Sequence, residues 1–169
     1  MKRKVSFATA AMAATGSMAA ALWLAVPAGA SSAASRAVTG TEHFQFMTTS
    51  VTFSPVSVIA FGAFTTAGRI SNTVGNVDTL AFPGGTFKVA HPNGIGPTTL
   101  NPKTCLLTVT KHGTYKIFGG TGKYAGISGH GVAHLSILAI TARSGGKCTM
   151  TKPPVALQLI VTQSGPVRL

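Results

Sequence analysis

Acid–base chemistry has few places to start in this chain, because only two carboxylates, Glu42 and Asp78, occur among its 169 residues. Two carboxylates can flank a glycosidic bond as acid and base or nucleophile, but nothing in the spacing ties these two together. Singly, each is a candidate proton donor or acceptor wherever partial desolvation lifts its pKa toward neutrality. Histidine widens the choice, and His91 and His134 could gather with the two acids at one end of a fold. His130 and His134 are four residues apart, which on a strand means one face and about 13 Å, too far to share a metal ion. No metal site is expected. Serine is plentiful, yet none sits in a G-x-S-x-G turn, and Gly126-Ile127-Ser128-Gly129 has the wrong spacing.

The densest pattern is the glycine-rich run from Gly119 to Gly131. A phosphate loop would need glycine where Ile117 stands and Ser or Thr where Tyr124 follows Lys123, with a helix beginning there. As a dinucleotide fingerprint it is also mis-spaced. The run reads instead as an irregular crossing between strands, its glycines supplying positive φ and close backbone approach. Cys105 and Cys148 are the only cysteines. They lack the CxxC or paired-histidine context of a zinc site, and in an exported chain two such residues pair. A disulfide is expected.

Export itself is read from the N-terminus. Lys2, Arg3 and Lys4 precede a long Ala-rich apolar stretch, and Ala28-Gly29-Ala30 offers the small residues of a cleavage site. Residues 1–30 are read as a signal peptide, 31–37 as a mobile leader and 38–169 as the folded domain, secreted after cleavage near Ala30. An uncleaved anchor is the competing reading, weakened by Thr15-Gly16-Ser17 in the middle of the stretch. Cleavage leaves 139 residues, enough for one domain with a real core. It removes three of the 14 Lys and Arg, leaving 11 against two acids, a net charge of +9. An exported protein rarely meets nucleic acid, so none is expected as a partner. Anionic cell-wall polymer or a lipid surface fits the charge better. No short window concentrates five basic residues, however, and the spread favours simple solubility over a binding patch.

The elements that would position these groups are strands. Candidate strands at 41–53, 56–66, 78–82, 85–91, 104–110, 113–118, 131–141 and 155–162 are separated by turn signals such as Ser54-Pro55, Gly68, Gly75-Asn76 and His112-Gly113. Val155, Leu157, Leu159 and Val161 alternate with Ala156, Gln158, Ile160 and Thr162. The fold class is therefore all-β, an eight-stranded antiparallel meander closed into a barrel, which removes its edges. Residues 56–64 and 135–140 are apolar on both faces, which calls for an outer cover. With no helix in the pattern, a second subunit is the expected cover, giving a homo-oligomer.

The stretch Gly113-Thr-Tyr-Lys-Ile-Phe-Gly-Gly-Thr-Gly-Lys-Tyr-Ala-Gly-Ile-Ser-Gly-His-Gly resembles the allene oxide cyclase-like and dirigent-like barrels. Gly75-Asn-Val-Asp-Thr-Leu-Ala-Phe-Pro-Gly-Gly-Thr-Phe and Asn101-Pro-Lys-Thr-Cys105 resemble small exported bacterial members of that superfamily, and the likeness runs from Val38 to Gln163. It implies an eight-stranded barrel with a cavity open at one end, often trimeric in plant relatives, and chemistry on a reactive apolar intermediate without metal or organic cofactor. The acidic motifs of those relatives are not matched here.

Three functions stay open: a secreted barrel holding a small apolar ligand, a cofactor-free isomerase, cyclase or stereo-directing protein, and a wall-associated structural or adhesion module. For the first two, the expected cavity lining is Phe87, Val89, His91, Tyr115 and Ile117. Lys88 and Lys116 should point outward, since an unpaired ammonium inside costs several kcal/mol. Glu42 and Asp78 are the catalytic candidates at its mouth.

Overall fold

Alternating side chains and glycine-bearing turns build the strands of the computed structural model, which describes residues 37–169 apart from Asn93 and Ile95. The expected signal peptide and all of the leader except Ala37 lie outside the described residues. Eight strands form a closed antiparallel barrel: β1 (Thr39–Thr48), β2 (Ser57–Gly62), β3 (Thr66–Val74), β4 (Val77–Phe82), β5 (Gly85–Ala90), β7 (Leu106–Phe118), β8 (Ser128–Ile140) and β11 (Ala156–Arg168). Each pairs with its neighbour in the chain, and β11 closes on β1 with Phe44 opposite Gln163. A short β6 (Thr98–Leu100) extends the wall beside the first half of β7, and a hairpin of β9 (Ala142–Ser144) and β10 (Lys147–Thr149) stands apart.

The expected count of eight holds, but its composition differs. The segments read at 104–110 and 113–118 are one strand, β7; Gly113 is an in-register strand residue opposite Ala133, not a turn. The region around Gly68, read as a turn, is β3. A Cβ at Gly68 would overlap the Ala81 carbonyl and the Phe82 ring, so this glycine makes room for an aromatic neighbour rather than bending the chain. The first strand ends at Thr48 rather than at 53, and the last runs through Pro166 to Arg168.

Inward residues divide the interior into two halves. In one, Phe44, Leu80, Phe82, Phe87, Val89, Tyr115 and Ile117 are buried together. Phe87 meets Phe82 at 5.3 Å and Tyr124 at 5.4 Å between ring centroids. The glycine-rich run closes this end. It makes a single 3-10 turn, Gly122–Tyr124, that drops Tyr124 and Ile127 into the core. Thr121 N–H donates to Thr86 and Lys123 N–H to Gly84. Gly119, Gly122 and Gly126 have φ of 63°, 58° and 84°, and a Cβ at Gly120 would overlap the Tyr124 carbonyl. The run is an irregular crossing between strands, as its spacing implied, and it also plugs this end of the barrel.

The disulfide joins Cys105 to Cys148 with Cα atoms 5.4 Å apart, within the normal span. It pins the β9–β10 hairpin to the start of β7. The outer face of β2 stays open among the described residues, with Ile59 and Phe61 exposed.

Candidate functional site

Where the aromatic core stops, the barrel is hollow. A pocket of about 280 Å³ lies in the opposite half, walled by Phe46, Val56, Ile70, Leu135, Leu159 and Val161. Most of the wall follows from strand alternation: Phe46, Leu135, Leu159 and Val161 each lie two places along their strand from a core or wall residue on the same face, and Val56 lies two places before Val58. Where the core half holds bulky rings, this half is lined in part by Gly113 and Ala133, which leave the axis unfilled. The volume is nearly twice that of a ~150 Å³ cavity able to take benzene.

Polar groups converge on one side. Asp78 Oδ1 accepts from Thr73 Oγ1 at 2.7 Å across the β3–β4 hairpin, and its Oδ2 lies 3.3 Å from His91 Nε2. The other ring nitrogen of His91 faces the Pro92 carbonyl at 3.4 Å. The bond to Asp78 is the main cause that holds the His91 pKa above its usual value, against the opposing effect of burial. With acceptors at both nitrogens, the doubly protonated ring satisfies both, so His91 is disposed to donate rather than abstract a proton. Lys111 also points inward and donates to the carbonyls of Pro92 at 3.2 Å and Gly94 at 2.7 Å. Gln163 is buried at the pocket wall, and its side-chain oxygen has no partner among the described residues. The pocket thus joins an apolar body to an electropositive flank and a free acceptor, the usual form of a small-ligand site.

Only part of the expected site is here. Asp78 and His91 meet as an ion pair on the pocket wall, with Asp78 held within β4. Glu42 does not join them. It is wholly buried at the plugged half, where Oε2 accepts from Phe64 N–H at 3.0 Å and Oε1 has no partner among the described residues. Burial is the main cause that raises its pKa, partly offset by the Phe64 and Ala63 N–H groups and by His43. Burial and the nearby Glu42 charge push the Tyr115 phenol up to about 12. His134 lies on the outer wall, its ring 4.4 Å from that of His112.

Lys88 and Lys116 do point outward, and Phe87, Val89, Tyr115 and Ile117 do point inward. The strand register was right, but these four fill the packed core instead of lining the cavity. Of the expected lining, His91 alone reaches the pocket. The missed wall residues Leu159 and Val161 belonged to a face already legible as apolar. Lys111 was hidden by reading His112-Gly113 as a turn, which broke the alternation linking Lys111 to Tyr115. No protein-family model matches the chain, and no curated protein or solved structure matches it significantly.

Proposed function

We propose that the domain is an exported barrel that holds a small apolar ligand in its open half. The observation that carries this reading is the half-filled axis: a ~280 Å³ apolar pocket beside a core that is otherwise densely packed. Interiors of small barrels are normally filled by side chains, so an unfilled half with convergent polar groups suits a guest. The disulfide accords with an extracellular setting. The resemblance to allene oxide cyclase-like barrels supports the same reading, since those barrels work through an open-ended cavity. His91, Lys111 and Gln163 would select a ligand with one hydrogen-bonding head on an otherwise apolar body.

The test is titration of the mature protein with the apolar dye N-phenyl-1-naphthylamine, followed by fluorescence. Saturable one-to-one enhancement is expected. Ala133→Phe should abolish it, because the added ring takes up roughly half the pocket, judged by the cavity benzene fills. A folded Ala133→Phe variant that binds dye like the parent would refute the reading.

A second reading, a cofactor-free isomerase or stereo-directing protein, draws on the Asp78–His91 pair as a proton donor beside the bound apolar body. It gains support if His91→Gln leaves dye affinity intact but removes turnover of a screened epoxide or phenoxyl precursor. It loses support if turnover is unaffected.

A further inference from the structure

We propose that the open end of the barrel docks on an anionic lipid bilayer, so that the pocket exchanges its apolar ligand directly with the membrane. The loading step rests on the ligand-holding reading above; the docking does not.

The open end is defined by strand ends. β1 stops at Thr48 opposite Leu159, and β5 stops at Ala90 opposite Lys116, while β11 and β7 continue past them to Ala156 and Leu106. The disulfide hairpin therefore stands beyond the pocket half of the barrel. There the fold gathers charges that are far apart in sequence. Lys103, Arg143, Lys147 and Lys152 are all exposed. Arg143 is paired with Cys148 across the hairpin, and its guanidinium donates to the carbonyls of Lys103 and Gly146. Cys148 is in turn bonded to Cys105, two residues from Lys103. The scatter of basic residues along the sequence thus becomes a patch in space.

No carboxylate balances this patch. The chain has two acids; Glu42 is buried in the far half and Asp78 is engaged by His91. Among the same cations stand large apolar side chains in water: Val155 is 69% and Met150 66% exposed, with Leu106 and Ile140 beside them on the outer edge. Val155 N–H donates to the Ile140 carbonyl and Ile140 pairs with Leu106, which holds these three in one strip, while Met150 follows the hairpin between Lys147 and Lys152. Cations alone would suit a soluble polyanion. Cations interleaved with exposed apolar groups suit an anionic bilayer, where the charges meet headgroups and Val155 and Met150 leave water.

Co-sedimentation with large unilamellar vesicles tests the proposal. The mature protein should pellet with vesicles of equal phosphatidylcholine and phosphatidylglycerol and stay in solution with phosphatidylcholine alone. Binding should fall steeply with salt. Neutralising Lys147 and Lys152 together (Lys147→Gln, Lys152→Gln) should weaken it roughly 25-fold, about fivefold for each charge. Met150→Ser with Val155→Ser should weaken it by about tenfold with every charge retained. None of these residues lines the pocket, so dye binding should not change. Absence of binding to the phosphatidylglycerol vesicles overturns the proposal. So does an unchanged affinity of the Met150→Ser, Val155→Ser variant, which would assign the patch to a soluble anionic polymer. Ala133→Phe should sediment like the parent. For the parent protein, no saturable dye binding with intact sedimentation refutes the ligand reading alone, and saturable dye binding without sedimentation refutes docking alone.

Discussion

Glu42 is the group whose removal should change stability most informatively. It is 0% exposed and keeps one firm bond, from Phe64 N–H at 3.0 Å. Glu42→Gln keeps an oxygen for that N–H and resembles the protonated acid, whereas Glu42→Leu leaves the N–H buried and unsatisfied. The leucine variant should lose about 1–3 kcal/mol for the orphaned donor. The glutamine variant is decided by pH. Burial raises the folded-state pKa above the ordinary 4.5, so the acid's stabilising proton is fully bound below 4.5 and is lost as pH rises through the folded value. At pH 4 the parent and Glu42→Gln should agree within about 0.5 kcal/mol. Above that folded value the parent bears a buried carboxylate. Desolvation of such an ion costs several kcal/mol, and bonds to the charged group return about 1.5–3 kcal/mol. Glu42→Gln should therefore be the more stable by about 1–2 kcal/mol. Urea unfolding followed by far-UV circular dichroism, with the disulfide intact, measures both. A gap that stays constant from pH 4 to 7.5, or a parent that gains on the variant as pH rises, would refute the reasoning.

The remaining predictions use the same measurement. Replacing Cys105 and Cys148 by Ser opens a loop of 43 residues and should cost about 4 kcal/mol on the chain-entropy model; a loss under about 1 kcal/mol would contradict that. Gly120→Ala sets a methyl against the Tyr124 carbonyl and the Ile127 side chain, and should destabilise by at least about 2 kcal/mol, an effect that a freely flexing loop would not show. His91 has a raised folded pKa through its bond to Asp78. Its contribution is therefore full below about pH 6.5 and fades as pH climbs through the folded value. His91→Gln should flatten the stability profile in that window, and an unchanged profile would remove the ion pair from the account.

How much of this was legible in the sequence depends on which forces act over short range. Alternation is local, so the inward face of Phe87, Val89, Tyr115 and Ile117 and the outward face of Lys88 and Lys116 could be read from neighbours alone. The glycine-rich run could also be read as an irregular crossing rather than a phosphate loop, because positive φ and mis-spacing against phosphate motifs are properties of the run itself. What could not be read is axial position. Whether an inward side chain meets a ring or a void depends on what seven other strands place at that level, and the level is set by barrel stagger. Thus Phe87 fell in the core and Leu159 in the pocket, though both alternate equally well. Glycines misled in a consistent way: Gly68 makes room for Phe82 of the adjacent strand and Gly113 leaves the pocket axis open, both within strands, yet in one dimension they look like turns. The basic patch was invisible for the same reason, since the disulfide and hairpin bring Lys103 to Arg143 across some forty residues of chain.

The claim on which the rest depends is that one half of the barrel axis is open to an apolar guest and the other is not. Methyl-detected NMR during titration with naphthalene addresses it directly. The methyls of Val56, Ile70, Leu135, Leu159 and Val161 should shift progressively and saturate, while those of Val58, Val89 and Ile117 stay fixed. Saturating shifts at Val58, Val89 and Ile117, or no shift at any pocket methyl, would contradict the account.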